Sequence, residues 1–184
     1  FDESFNCIMP AEDGNSEEDL FSEIESLLNN SFNPVHPGSL AHLDPPPLIF
    51  SILGDLIAAG LNNNLLAYEL SPSITMLEDS LCKWFAKKIG FNDSSGGIAA
   101  SGGTLSNLNA LIAARNNAGL GSDPNSVLLV SEDAHSSFIK CTKIMGLDEA
   151  NLVKVKTDNN GCIDTHNLRI TIDKCLIDNK KIFA

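Results

Sequence analysis

The sequence has no long apolar run and no excess of basic residues, and each absence excludes a class of protein. No apolar stretch approaches the ~20 residues that a membrane-spanning helix needs. No basic segment followed by an apolar one marks a secretory signal. Lys and Arg number 12 against 24 Asp and Glu, for a net charge of −12. Because nucleic acids and anionic membranes attract basic surfaces, we expect neither as a partner.

The cysteines lack the spacing of a disulfide framework or a zinc site. There are five, an odd number, and none forms a Cys-x-x-Cys pair. Reduced thiols in a cytoplasmic protein are the simplest interpretation. His36 and His42 are six residues apart, which matches no usual metal-binding pair, so we expect no metal.

What is present is the composition of an ordinary globular protein, with 43% hydrophobic and 20% charged residues in a chain of 184. Residues 1–15 are acidic and irregular, which predicts a tail. Capping residues and helical periodicity then predict a helical segment over residues 16–95. Its three helices are expected over residues 16–28, 45–60 and 71–89.

From residue 97 the pattern changes to alternating strands and helices. Apolar strands are predicted over residues 97–100, 127–131 and 152–156, with a fourth from residue 182. Helices are predicted between them, over residues 105–118, 136–145 and 165–177. This alternation indicates a parallel α/β sheet covered on both faces. In such sheets, ligands bind at the carboxyl ends of the strands.

The segment over residues 100–107, Ala-Ser-Gly-Gly-Thr-Leu-Ser-Asn, lies between an apolar run and a helix. Glycines let backbone N–H groups approach an anion, and a helix N-terminus adds unpaired N–H groups and partial positive charge. We therefore predict a phosphate-binding loop. The alternative is a glycine-rich turn without a ligand. The segment is neither a dinucleotide fingerprint nor a Walker loop, because the spacing of the first and the lysine of the second are missing.

A second candidate is His135, in the segment Glu-Asp-Ala-His-Ser-Ser over residues 132–137. It follows a predicted strand and so faces the ligand crevice. An imidazole there can stack on a planar ring or move a proton. The alternative is that Ser136 or Ser137 caps the next helix and His135 is a surface residue.

A third candidate is the loop over residues 35–47, Val-His-Pro-Gly-Ser-Leu-Ala-His-Leu-Asp-Pro-Pro-Pro. Its prolines restrict the backbone, and such loops can line a site. An ordered surface loop is the alternative.

Together these segments resemble the group II pyridoxal-phosphate-dependent amino-acid decarboxylases. The resemblance covers residues 36–184. It rests on the His-Pro loop, on Leu-Ser-Pro-Ser-Ile-Thr-Met-Leu-Glu at residues 70–78, and on the segments at residues 100–107, 132–137 and 161–164. The resemblance implies the α/β fold of aspartate aminotransferase, fold type I. Residues 96–184 would be the first half of the cofactor-binding large domain, truncated, with a parallel-rich sheet preceded by the helical segment.

The resemblance also implies roles for individual residues. The cofactor would be pyridoxal 5′-phosphate, with an L-amino acid as substrate and a homodimer as the assembly. His135 would be catalytic, stacking on the pyridine ring, and His42 would contact the substrate. Residues 67–70 would lie near the dimer interface. The cofactor phosphate would be held by Ser101, Gly102, Gly103 and Thr104.

Two residues that the resemblance requires are missing from the sequence. The family uses a Lys, usually after a His, to form the Schiff base, and an Asp against the pyridine nitrogen. No His-Lys pair occurs here, and the family places both residues after the strand that begins at Ile182. The chain begins at Phe1 and ends within an apolar run. We therefore expect a fragment of a longer reading frame that is inactive by itself.

Two other functions stay open at this point. One is a different pyridoxal-phosphate enzyme of the same fold, such as a carbon–sulfur lyase, and the other is a non-catalytic module that binds an anion or cofactor. The His-Pro loop and the Ser-Pro helix start favour the decarboxylase. The form of that loop is more similar to the diaminobutyrate and glutamate members than to the aromatic ones. Glu69 could favour a cationic substrate, but we prefer a solvated surface charge.

Overall fold

The computed structural model describes residues 12–40, 43 and 45–184. The chain divides into two compact units between Asn64 and Leu65. Most of the predicted tail over residues 1–15 lies outside the described residues. The predicted boundary between a helical segment ending at residue 95 and a cofactor domain beginning at residue 96 stays a prediction.

Helix α1 (Glu17–Asn29) of the first unit begins where the sequence predicts. The Ser16 hydroxyl accepts a hydrogen bond from the Asp19 N–H at 3.1 Å, and the first turn is acidic. Both features stabilise a helix N-terminus. The hydroxyl accepts from a backbone N–H that has no intrahelical partner, and the carboxylates interact favourably with the positive end of the helix dipole.

Helix α2 (Ile49–Leu61) begins after the prolines, so the prediction that Pro45 opens it is wrong. A residue that precedes proline is pushed out of the helical region, and this applies to Pro45 and Pro46 in turn. Leu48 is still extended, and Ile49 is the first helical residue. The helix is apolar apart from Ser51 and Asp55, and Phe50 is 85% exposed.

The second unit opens with a short 3-10 helix (Tyr68–Leu70) and α3 (Pro72–Lys88), whose first residue is the predicted proline. The predicted strand over residues 97–100 is wrong, because no described strand pairs with this extended segment. Instead, the Ala99 N–H donates to Glu78 Oε1 at 2.8 Å, which holds the segment against α3.

Three parallel strands form the sheet, in the order β2-β1-β3. Leu128 pairs with Leu152, and Val127 pairs with Ile182. The other predicted strands are therefore confirmed, within two residues at their ends. The strands are β1 (Ser126–Ser131), β2 (Leu152–Val155) and β3 (Lys181–Ile182).

Three helices alternate with these strands: α4 (Gly103–Asn117), α5 (Ser137–Ile144) and α6 (Thr165–Ile177). The connection through α5 runs from β1 to β2, and the connection through α6 runs in the opposite direction, from β2 past β1 to β3. Since such connections are right-handed, the two helices cover opposite faces of the sheet. This confirms the predicted α/β arrangement. The buried core between α4, β1 and α5 consists of Leu111, Leu128, Val130 and Cys141.

Within the described part of the chain, no helix is long and apolar enough to cross a membrane. The same residues contain no group of three His, Cys, Asp or Glu arranged to hold a metal ion. The four cysteines among them are free thiols.

Arg115 on α4 is a buried cation, only 7% exposed, that binds three backbone carbonyls. Its guanidinium donates to the carbonyl oxygens of Leu120 at 2.9 Å, Asp123 at 3.1 Å and Met145 at 3.1 Å. Arg115 therefore joins the loop before β1 to the end of α5. Hydrogen bonds from a charged donor are stronger than neutral ones, so this residue is a major tie within the second unit.

We expect Arg115→Met to lower the free energy of unfolding by about 3 kcal/mol, because carbonyl oxygens lose a charged donor. Urea unfolding followed by far-UV circular dichroism measures the change. Arg169→Met is the matched control, since Arg169 is exposed on α6, and its effect should stay within about 0.5 kcal/mol. Equal effects of the two substitutions would contradict the assigned role of Arg115.

Candidate functional site

The N-terminus of α4 is formed by the predicted phosphate loop. Gly102 is the N-cap in an extended conformation, and Gly103 and Thr104 are the first helical residues, two positions earlier than predicted. The first intrahelical bond runs from the Ser106 N–H to the Gly102 carbonyl at 3.1 Å. The N–H groups of residues 103–105 therefore point out of the helix end, as donors for an external acceptor. The first turn contains no acidic residue.

The two glycines leave open space in front of these donors. A Cβ atom added at Gly102 or at Gly103 would meet nothing within 4 Å. Neither residue has a left-handed backbone, so the turn itself does not require glycine. What glycine supplies here is the missing side chain, which lets an anion reach the N–H groups. By contrast, Asp164 caps α6 with its own carboxylate.

His135 lies exposed in the loop between β1 and α5. Its Nδ1 accepts a hydrogen bond from the Ser137 N–H at 3.1 Å. A neutral imidazole that accepts at Nδ1 carries its proton on Nε2. Nε2–H is therefore the donor of the neutral ring. Ser136 occupies the N-cap position of α5 without a side-chain capping bond, and Ser137 is the first helical residue.

Two hydrogen bonds tie the first two turns of α4 to the first two turns of α5. Asn107 Nδ2 donates to Ser137 Oγ at 2.9 Å, and Cys141 Sγ donates to the Thr104 carbonyl at 3.6 Å. Burial raises the pKa of the Cys141 thiol, which keeps its proton available for donation. The phosphate loop therefore leads into α4 and the His135 loop leads into α5, and these two helices contact each other near their N-termini.

A third contact holds the loop that carries His135 to the end of β2. The Glu132 carboxylate accepts from the Thr157 N–H at 2.8 Å and from the Thr157 hydroxyl at 3.1 Å. The same hydroxyl lies 3.0 Å from Asp133 Oδ2. The backbone N–H of Thr157, and then its hydroxyl, lower the pKa of Glu132. The ends of β1 and β2 are joined by this contact.

An apolar cavity borders the phosphate loop. Its volume is about 470 Å³, and it lies between α3 and the extended segment before α4. The lining residues are Leu65, Ile74, Leu77, Glu78, Leu81, Ala99, Ala100 and Ser101.

The structure describes five of the predicted site residues, but not His42, which lies outside the described residues. The four residues of the phosphate loop lie at the N-terminus of α4, and His135 precedes α5, the helix that contacts α4. Their assigned roles stay predictions. Sequence reasoning missed the roles of Asn107 and Ser137, although both stand within the motifs on which the resemblance rests. It also missed the contact between Glu132 and Thr157.

Comparison with known proteins identifies similar sequences. Residues 8–182 match the family model described as the pyridoxal-dependent decarboxylase conserved domain. The chain is 30% identical to L-2,4-diaminobutyrate decarboxylase of Acinetobacter baumannii, over 81% of this chain and 33% of that protein. It is also 30% identical to the aromatic-L-amino-acid decarboxylase of Bacillus atrophaeus, over 88% of this chain and 35% of that protein. The chain thus spans about a third of the length of these relatives.

Solved structures share the fold of this chain. The crystal structure of mouse CSAD matches with a TM-score of 0.87 at 22% identity, over 95% of this chain and 38% of that one. Oryza sativa TDC with PLP and tryptamine matches with a TM-score of 0.83 at 21% identity, over 95% of this chain and 39% of that one. These likenesses confirm the predicted aspartate aminotransferase fold, of which the three-stranded sheet is part.

We expect the contact between Glu132 and Thr157 to make stability depend on pH. Because the pKa of Glu132 is lowered in the folded chain, its charged form favours folding. Glu132→Gln should therefore be less stable than the unmodified chain above the ordinary carboxyl pKa of about 4.5. This difference should disappear as the pH falls through the folded-state pKa. Thermal unfolding of both proteins from pH 7 to pH 3 measures it.

A second variant separates this contact from the general effect of removing a charge. Thr157→Val removes the hydroxyl donor but keeps the backbone N–H. In that background, Glu132→Gln should produce a smaller pH-dependent difference. An equal difference in both backgrounds would show that the Thr157 hydroxyl does not contribute.

Proposed function

The chain belongs to the pyridoxal-dependent decarboxylase family, and from that premise we propose that the whole protein removes the α-carboxylate of an L-amino acid as CO₂. The cofactor of the family is pyridoxal 5′-phosphate. The family match over residues 8–182 is the observation that carries the proposal. The open end of α4 fits the phosphate of this cofactor, because free N–H donors there face space that no side chain fills.

In this proposal, the first turn of α4 binds the phosphate group. The N–H groups of Gly103 and Thr104 donate to phosphate oxygens, and the hydroxyls of Ser101 and Thr104 add donors of their own. The chain as a whole is acidic, with a net charge of −12. The absence of acidic residues from this turn keeps the local field suited to an anion.

His135 has two tasks in the proposed reaction. Its imidazole would stack on the planar ring of the cofactor and so help to hold the cofactor in one orientation. Its Nε2–H, the free donor of the neutral imidazole, can donate a hydrogen bond to the substrate carboxylate. The cofactor supplies an electron sink for the charge left on Cα when CO₂ departs. We assign the contact with the substrate side chain to His42, on the resemblance alone.

We also propose that the 184 residues alone are inactive. The family requires a Lys that follows a His to bind the cofactor covalently, and no His-Lys pair occurs in these residues. The first unit supports the proposed homodimer, because α2 exposes an apolar surface that association would cover. The free cysteines are consistent with the proposed cytoplasmic location.

A carbon dioxide assay tests the proposed activity. The whole protein is incubated with pyridoxal 5′-phosphate and a panel of L-amino acids labelled at the carboxyl carbon, starting with 2,4-diaminobutyrate, glutamate and the aromatic acids. We expect labelled CO₂ from at least one of them, and none above a boiled control from the 184-residue chain. Absence of release by the whole protein across the panel would contradict the proposed activity.

We expect Gly103→Val to weaken binding of pyridoxal 5′-phosphate by the whole protein by about tenfold or more, a loss of ~1.4 kcal/mol. The added side chain should block an anion from the N–H donors, and its Cβ meets no protein atom within 4 Å outside the helix's own backbone. Equilibrium dialysis measures the Kd. Ala113→Val is the control, because it adds the same branched side chain at an exposed position of the same helix. An unchanged Kd for Gly103→Val would remove the loop from the phosphate site.

We expect His135→Ala to lower kcat by about 100-fold, since a misplaced reacting group costs this much. The Kd of the cofactor should change far less, because the phosphate contacts remain. His166→Ala is the control, as His166 is an exposed histidine at the start of α6. If His135→Ala and His166→Ala have the same kcat, His135 is a surface residue without a catalytic role.

A further inference from the structure

Two hydrogen bonds in series connect α4 to the ring of His135. Asn107 Nδ2 donates to Ser137 Oγ at 2.9 Å, and the Ser137 N–H donates to His135 Nδ1 at 3.1 Å. We propose that Asn107 is a positioning residue: by holding Ser137, it orients the His135 ring and keeps the ring proton on Nε2. This inference rests on the proposed function, in which His135 contacts the cofactor.

Ser137 can relay a change at Asn107 to His135, because its hydroxyl bonds to Asn107 and its backbone N–H bonds to His135. It is the first residue of α5 and only 1% exposed. Since the first N–H groups of a helix have no intrahelical acceptor, this one is available to His135. Its hydroxyl oxygen is shielded from water, so loss of the Asn107 donor leaves a buried acceptor unsatisfied. We expect the first turn of α5 to shift in response, and the N–H donor to His135 to shift with it.

The tautomer of His135 decides which nitrogen is available to a ligand. While Nδ1 accepts from Ser137, the neutral ring presents Nε2–H as a donor. If that bond is lost, the proton can occupy either nitrogen and the ring can turn. The ring would then present a donor in some molecules and an acceptor in others.

Asn107 also relates this ring to the phosphate loop. It stands on the helix whose first turn contains Gly103 and Thr104. Within the described part of the chain, its bond to Ser137 is the one hydrogen bond between side chains that joins α4 to α5. Asn107, acting through Ser137, therefore links the helix proposed to bind the phosphate to the residue proposed to stack on the ring.

Ring nitrogen chemical shifts test the proposal without cofactor. The whole protein is labelled with ¹⁵N in its histidine rings, and His135→Gln assigns the signals of His135. In the unmodified protein, we expect a protonated Nε2 and an unprotonated Nδ1. Asn107→Leu removes the donor at similar size and should shift the ring toward a mixture of tautomers. Asn117→Leu, at an exposed position in the last turn of α4, is the matched control and should shift nothing.

Ser137→Ala removes the same hydrogen bond from the acceptor side, and it tests the proposed positioning role if Asn107→Leu does not fold. It should shift the tautomers as Asn107→Leu does, and the double variant should add nothing further, as for residues that act as a pair. Asn107→Asp can accept a hydrogen bond from the Ser137 hydroxyl and should keep the tautomer of the unmodified protein. A purely structural role would change the unfolding temperature of Asn107→Leu without moving the tautomers.

Kinetics of the whole protein supply the second readout. We expect Asn107→Leu to lower kcat by about tenfold, with KM nearly unchanged, because the group that is misplaced acts on the reacting bond. An unchanged tautomer in both Asn107→Leu and Ser137→Ala would overturn the inference. A whole protein that does not bind pyridoxal 5′-phosphate would instead overturn the proposed function, and the tautomer measurement would stand apart from it.

Discussion

The contact between α4 and α5 is the interaction on which the candidate site depends. Both helices pack on β1 through the buried side chains of Leu111, Leu128 and Cys141. This apolar packing brings their first turns close enough for the Asn107–Ser137 hydrogen bond. The phosphate loop leads directly into α4 and the His135 loop leads directly into α5, so the contact between the helices helps to position both loops.

An acidic protein that binds an anionic cofactor has to solve a local electrostatic problem. In the proposed site, the first turn of α4 would bind the anion with backbone groups, because its N–H donors need no lysine or arginine and the turn carries no carboxylate. The Glu132 carboxylate, which follows β1, accepts from the backbone N–H of Thr157, which follows β2. One buried cation, Arg115, serves backbone carbonyls instead of the site. The charge pattern of the whole chain therefore says little about its ligand, whereas the pattern within one helical turn says much.

Local sequence signals predicted most elements of this fold, because capping, periodicity and apolar runs act over a few residues. The Ser16 cap and the Ser-Pro start of α3 are examples. The strand expected over residues 97–100 could not be judged locally, since a strand exists only when another strand pairs with it. The roles of Asn107 and Ser137 were hidden for a similar reason. They stand 30 positions apart, and only the packing of two helices brings them together. The glycines at 102 and 103 could be singled out from the sequence, but their open surroundings became visible only in three dimensions.

The most direct measurement of the central claim is a crystal structure of the whole protein with pyridoxal 5′-phosphate bound. We predict that the phosphate lies at the N-terminus of α4, within hydrogen-bond distance of the N–H groups of Gly103 and Thr104. We also predict that the pyridine ring stacks on His135, whose Nδ1 still accepts from Ser137 while Ser137 accepts from Asn107. A phosphate bound away from α4, or a ring that does not contact His135, would contradict the account.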